Sequence, residues 1–237
     1  MLGKITKKSI TKIAQIIENN ESPILFWDTC ALLDILRLPF RKTSEKPLEQ
    51  YENVNELISE NNLISVASEL TVKELHHNLE TVLKEYDKNL NKLQKDLENH
   101  EKYLIKSNCI NENILTFKLE EKGLKQYLFD LFNKIIENTA FISEKNIFNK
   151  NAHFRVSHHM PPASRKGEYK DCYIWATCLE LSNITEEKVL FFTTNTEDFY
   201  NNRKLLPTIQ RDCDNNGINV ICEIGKIYGT ILEHYAP

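Results

Sequence analysis

The 237 residues contain no CxxC pair, no glycine-rich phosphate-binding motif, no internal repeat and no apolar run long enough to span a bilayer. Each absence removes a class. Without CxxC, the six cysteines (Cys30, Cys109, Cys172, Cys178, Cys213 and Cys222) make neither a zinc ribbon nor a thioredoxin-like redox site. They read as free thiols of an intracellular protein, with Cys30, Cys172 and Cys222 in apolar stretches that favour burial. The six glycines are scattered, with neither GxGxxG nor a P-loop, which disfavours a nucleotide-binding enzyme. The longest apolar runs, 23–27 and 189–192, are far shorter than a membrane-spanning helix needs. The basic opening MLGKITKKSI has no apolar segment behind it, so no signal peptide is expected. These points predict a soluble, cytoplasmic protein with no membrane partner. Positive charge is not in excess either: 30 Lys and Arg stand against 34 Asp and Glu, for a net charge of −4. That excludes a grip on nucleic acid through bulk charge, though not through a local basic surface.

What is present is a globular composition, 41% hydrophobic and 27% charged, in a length suited to one domain over residues 1–237. Ile10, Ile13 and Ile17 recur at helical spacing, predicting a helix over 7–19. PILFWDT (23–29) and LISVAS (63–68) read as buried strands, as do VLFFTT (189–194) and INVICEI (218–224). ALLDILRL (31–38) has helical spacing and is expected to stop before Pro39, and residues 47–60 form another helix. From Thr71 a long helical pattern carries Leu79, Leu83, Tyr86, Leu90, Leu93, Leu97 and Leu104 in alternating three- and four-residue steps, with His100 filling the one gap, a coiled-coil-like stripe. With Leu124, Leu128, Leu131 and Ile135 on a second helix, residues 79–138 read as an inserted antiparallel helical hairpin. That hairpin is either a packed structural pair or an arm for a second copy or another partner. Residues 150–168 lack periodicity and contain Pro161, Pro162 and Gly167, so a loop is expected there, followed by a helix over 169–181. Strands alternating with helices predict an α/β fold, a three-layer α/β/α sandwich around a parallel sheet of about four to five strands.

In such a sheet ligands bind beyond the carboxyl ends of the strands. Asp28 closes the first strand, Glu69 and Glu74 follow the second, Glu197 and Asp198 follow the third, and Asp171 opens an apolar helix. Singly, acids near helix starts are explained by capping and the helix dipole. Asp28 is different, because it emerges from Ile24–Trp27 in the sheet's core, where an unpaired charge is costly. Several carboxylates brought together repel one another unless a cation is present, and an all-oxygen set suits Mg²⁺ or Mn²⁺.

The order of these motifs resembles the PIN domain, a family of metal-dependent ribonucleases that includes many toxins of toxin–antitoxin pairs. ILFWDTC matches the family's opening motif through Asp28 and Thr29, with Cys30 in place of the usual Asn. SELTVKEL supplies the second acid as Glu74, with Glu69 the other candidate; KGEYKDCYIWATCLEL supplies Asp171; VLFFTTNTEDF supplies Thr193, Asn195 and Asp198. The resemblance implies an endoribonuclease. Asp28, Glu74, Asp171 and Asp198 are the expected ligands of Mg²⁺ or Mn²⁺, Thr29, Thr193 and Asn195 the supporting groups, and 5′-phosphate and 3′-hydroxyl ends the products. It also raises an antitoxin or other inhibitory protein as a partner.

Residues 150–170 hold Lys150, Arg155, Arg165, Lys166 and Lys170 against Glu168 alone, a net of +4 in a chain of −4. Arg155, His158, Arg165, Lys166 and Lys170 are therefore the expected contacts to a single-stranded RNA substrate, through phosphates and base stacking. Its competitor is a solvated loop whose charges only aid solubility. Three other readings stand beside the ribonuclease: a catalytically inactive PIN-like RNA-binding or scaffolding module, a haloacid dehalogenase-like phosphatase, which lacks its second Asp here, and a zinc site at His153, His158 and His159, which lacks further ligands.

Overall fold

The computed structural model describes residues 5–20, 22–41, 44–164 and 168–235. The chain runs β1 (Lys7–Lys8), α1 (Ile10–Glu18), β2 (Ile24–Trp27), α2 (Thr29–Leu33), a 3₁₀ turn (Asp34–Arg37), α3 (Leu38–Arg41), α4 (Lys46–Ser59), β3 (Ile64–Ser68) and α5 (Glu69–Lys106). It continues through a 3₁₀ turn (Leu119–Lys122), α6 (Leu124–Glu137), β4 (Ala140–Ile142), α7 (Asn146–Ser157), α8 (Tyr169–Asn183) and β5 (Val189–Phe192). The last part is α9 (Thr196–Phe199), a small hairpin of β6 (Tyr200–Asn201) and β7 (Lys204–Leu205), α10 (Pro207–Asn216), β8 (Ile218–Ile221) and α11 (Gly225–Tyr235).

Six strands form one sheet in the order β1-β4-β3-β2-β5-β8, every neighbouring pair parallel. The period of two along each strand divides the core. Leu25 and Trp27 of β2, with Leu190 and Phe192 of β5, face α2, α4, α5, α6 and α11. Ile24 and Phe26, with Val189 and Phe191, face α1, α7, α8 and α10. This is the expected three-layer α/β/α arrangement, and the buried runs of Ile, Leu, Phe and Val are what a sheet covered on both faces requires. From β2 the chain builds outward in both directions, so the carboxyl end of β2 lies where the strand order reverses, the usual place for a ligand crevice in such sheets.

The sheet exceeds the expected four to five strands because β1 has two residues and β4 three, too short to leave a periodic signal. α7 overturns the expected loop between 150 and 157. Its buried stripe is Phe148, Ala152 and Arg155, at helical spacing, but the third member is an arginine, so a search for apolar periodicity misses it. Pro39 does not stop the helical path; it sits in the first turn of α3, where a missing amide hydrogen costs little. On α5, Leu79, Leu83 and Leu90 pack against the core beside buried Val82 and Tyr86, whereas Leu93 and Leu104 are exposed. α5 and α6 are joined by a Lys125–Asp87 ion pair at 2.6 Å, and the Gln94 side chain of α5 accepts the Leu119 amide at 3.0 Å. No helix of the described residues is long and apolar enough to cross a membrane.

Candidate active site

Local chemistry places each acid at the mouth of the crevice. Asp28 leaves β2 in an extended conformation and caps α2, its Oδ1 accepting the Thr29 amide at 2.7 Å. Ser68 caps α5 by accepting the Thr71 amide at 3.1 Å, which starts that helix at Glu69 and sets Glu74 on its second turn. Glu168 precedes α8, so Asp171 falls in that helix's first turn. Thr193 follows β5, next to β2 in the sheet. The result is a cavity of about 300 Å³ lined by Asp28, Thr29, Cys30, Glu74, Asp171 and Asn195, together with Leu33, Arg37, Asn78, Thr81 and Val82.

The carboxylates are held by a continuous set of hydrogen bonds. Asp28 Oδ2 accepts from Thr193 Oγ1 at 2.6 Å and from Cys30 Sγ at 2.9 Å. Thr29 Oγ1 donates to Glu74 Oε2 at 2.6 Å, and Lys170 Nζ lies 3.2 Å from Glu74 Oε1. Asn195 Nδ2 donates to Asp198 Oδ2 at 2.7 Å and more weakly to Asp171 Oδ2 at 3.4 Å. Thr193 Oγ1 also accepts the Asn195 amide at 3.0 Å, so one hydroxyl serves two acid-bearing segments. Cys30 supplies hydrogen bonds after all: besides donating to Asp28, its sulfur accepts the Thr194 amide at 3.3 Å. A side chain shorter than Asn thus bridges the ends of β2 and β5.

Electrostatics reports the crowding. Burial pushes the Asp171 carboxyl up to about 8, helped by the charges of Asp28, Asp198, Glu74 and Glu168. Burial likewise raises Asp28 above the ordinary carboxylate range, against the hydrogen bonds from Cys30 and Thr193, with Glu74 adding to the rise. The Cys30 thiol is driven well up by burial and by Asp28, so it is a donor, not a thiolate.

Such a group of acids asks for a cation, and the residues fit one in part. The donors are hard oxygens, and Asp198, buried behind Asn195, leaves its Oδ1 without a hydrogen-bond partner. Yet among the described residues no three His, Cys, Asp or Glu side chains stand together as a ready-made metal cage. The set therefore suits a hard divalent ion that keeps several waters, as Mg²⁺ does, better than a closed all-protein site. Nor do His153, His158 and His159 stand together as zinc ligands among the described residues.

The other expected residues scatter. Glu69 lies off the cavity, bound by Lys7 at 2.6 Å and accepting the Glu144 amide at 3.1 Å. Burial would raise its carboxyl, but the Lys7 hydrogen bond, the Glu144 amide and the charges of Lys7 and Lys73 outweigh that and hold it low. Arg155 is a correction: it is buried, donating to Asp212 and to the Pro161 carbonyl, and is not available to RNA. An arginine filling a core position of α7 has to be paired, and Asp212 of α10 does this. His158 is exposed, stacked on Phe154, with Nδ1 2.8 Å from the Phe154 carbonyl oxygen. Lys170 stands over Glu74 in the site itself. Arg165 and Lys166 lie outside the described residues. Sequence reasoning missed Arg37, Asn78 and Thr81; the last two sit four and seven residues after Glu74, on the same face of α5, a spacing that could have found them.

A sequence model of the PIN domain matches residues 25–199, from within β2 to the end of α9. No curated protein and no solved structure matches the chain.

Proposed function

The chain belongs to the PIN-domain family, whose members are typically nucleases using divalent metals, and from that premise we propose that it is a divalent-metal-dependent endoribonuclease acting on single-stranded RNA. The observation that carries this reading is the convergence of Asp28, Glu74 and Asp171 on one cavity at the strand ends, with Asp171 pushed up to about 8 by burial and then by its acidic neighbours. Carboxylates arranged to repel one another are a common mark of a functional site.

Asp28, Glu74, Asp171 and Asp198 would hold one Mg²⁺ or Mn²⁺, directly or through water. When bound, such an ion supplies Lewis-acid stabilisation of phosphodiester charge and lowers the pKa of water for in-line attack. The protein's part is positioning. Thr193 from the end of β5 and Cys30 from α2 fix the Asp28 carboxylate, and Thr29 fixes Glu74 across the crevice. Asn195 ties Asp198 to Asp171, so these two move as a unit. Lys170 balances Glu74 and lies where a phosphate entering the cavity would meet it.

The test is incubation of the purified protein with labelled single-stranded RNA and Mn²⁺, beside an Asp171→Asn variant. Metal-dependent internal cleavage that the variant loses supports the proposal. RNA binding by both proteins with no cleavage would make the chain a catalytically inactive RNA-binding module, and no interaction with RNA would remove both readings.

A further inference from the structure

Beyond Glu74 the lining of the cavity turns from acidic to neutral and basic. This wall is formed by one face of α5, with Asn78 and Thr81 one and two turns beyond Glu74, and by Arg37 from the 3₁₀ turn after α2. Resting on the ribonuclease reading, we propose that Arg37 grips the phosphate next to the scissile one, making this wall the subsite for a neighbouring nucleotide of the RNA.

Arg37 is built for such a contact. Its Nε donates to Glu85 Oε2 at 3.2 Å, which anchors one edge of the guanidinium on α5. Its other acidic neighbour, Asp34, is already bound by Arg41 at 2.6 Å and lies 3.7 Å from Arg37 Nη1, beyond hydrogen-bond distance. Neither Nη of Arg37 makes a hydrogen bond among the described residues. The side chain is half-buried, at 21% exposure, so its stem is held by the protein while the fork stays open to a ligand. A guanidinium in that state matches two phosphate oxygens.

The spacing agrees. Glu74 and Glu85 are eleven residues apart on α5, about 16 Å at helical rise, and the Arg37 guanidinium reaches back from its Glu85 anchor into the cavity lining. Between them, the Asn78 and Thr81 side chains make no hydrogen bond among the described residues and present neutral polar groups to the cavity. Such groups suit the sugar and base of a single strand, whose edges are free to bond. The cavity, about 300 Å³, is at the small end of ligand sites, which favours one unpaired nucleotide over a duplex.

The experiment compares the full-length protein with Arg37→Gln, Arg37→Lys and Asn78→Asp, using labelled single-stranded RNA and Mn²⁺, with melting temperatures as a folding control. Arg37→Gln is expected to raise KM about tenfold with little change in kcat, the signature of lost uniform binding. In an Asp171→Asn background that does not cut, it should lower the slope of log affinity against log salt by roughly 0.7, one phosphate contact to a single strand. Arg37→Lys should restore the slope and only part of the affinity, since it keeps the charge and loses the fork. Asn78→Asp leaves the partners of Arg37 untouched and places a negative charge in the same wall, so it too should raise KM. If Arg37→Gln fails to fold, Asn78→Asp and Arg37→Lys decide. A parent protein that cuts RNA, with KM and salt slope unchanged in the folded variants, overturns the subsite alone. A parent that neither binds nor cuts RNA overturns the ribonuclease reading and the subsite with it.

Discussion

Asp171→Asn should stabilise the metal-free protein while abolishing its proposed activity. In the folded chain the Asp171 carboxyl is pushed from 3.8 to about 8, first by burial and then by Asp28, Asp198 and Glu74. The folded state therefore binds a proton that the unfolded state releases near pH 4. A raised folded pKa contributes stability that is fully present below the unfolded value and is lost as pH rises through the folded value. At pH 7 the interval above 3.8 is about three units, or roughly 4 kcal/mol at 1.36 kcal/mol per unit. Relaxation, water entry and sharing of the proton with Asp28 reduce this to about 1–3 kcal/mol. Asn at 171 keeps the shape and removes the titration. In a chain of 237 residues about 1–3 kcal/mol corresponds to a gain of roughly 2–12 °C in Tm. The assay is thermal unfolding in chelator from pH 4 to 9, parent beside variant. The gap should be small near pH 4, widen through neutrality and level off above pH 8. Adding Mg²⁺ should raise the Tm of the parent and leave the variant nearly unmoved. A variant less stable than the parent in chelator at pH 8, or a gap that does not change with pH, would refute the reasoning.

Three further outcomes are expected. Thr193→Val removes the donor to Asp28 and the acceptor of the Asn195 amide, and should cost about 1–3 kcal/mol in urea unfolding and 10–100-fold in kcat. Arg155→Ala removes the ion-pair partner of half-buried Asp212, which keeps the Trp175 indole hydrogen bond, and should lower stability by about 1–3 kcal/mol, while RNA affinity of the folded protein stays unchanged in filter binding. Glu69→Gln, away from the cavity, should change cleavage rates less than about twofold and cost no more than about 1 kcal/mol, read by the same unfolding assay.

The layers and the places of the acids were legible because they rest on strong local signals. Ile24–Trp27 and Val189–Phe192 are unbroken apolar runs, and each is followed by polar groups that must face outward, so Asp28 and Thr193 could be placed at strand ends without knowing the topology. Glu74 and Glu69 both stood as candidates for the second acid, and geometry separates them: Glu69 is occupied by Lys7, which arrives from β1, a strand too short to foresee. What stayed hidden depends on partners distant in sequence. Arg155 looks like a free cation until Asp212 is brought against it. Arg37 reads as one residue of an amphipathic helix until Glu85 holds its guanidinium beside the acids. The hydrogen bonds of Cys30 could not be foreseen, since they depend on how closely the ends of β2 and β5 approach.

The bond from Thr193 to Asp28 joins residues 165 positions apart. It gives the chain a timetable. During synthesis at about 5–20 residues per second, roughly 8–33 s separate the appearance of Asp28 from that of Thr193, and the exit tunnel adds to the delay. Throughout that interval β2 lacks its β5 neighbour and Asp28 lacks its donor from the β5 side. A nascent or truncated chain that stops short of Thr193 therefore carries Asp28 without that donor and lacks Asn195 and Asp198 altogether. For a protein proposed to cut RNA, this places the onset of activity after the chain has extended past Thr193 and Asp198, sparing the message and the ribosome that are still making it.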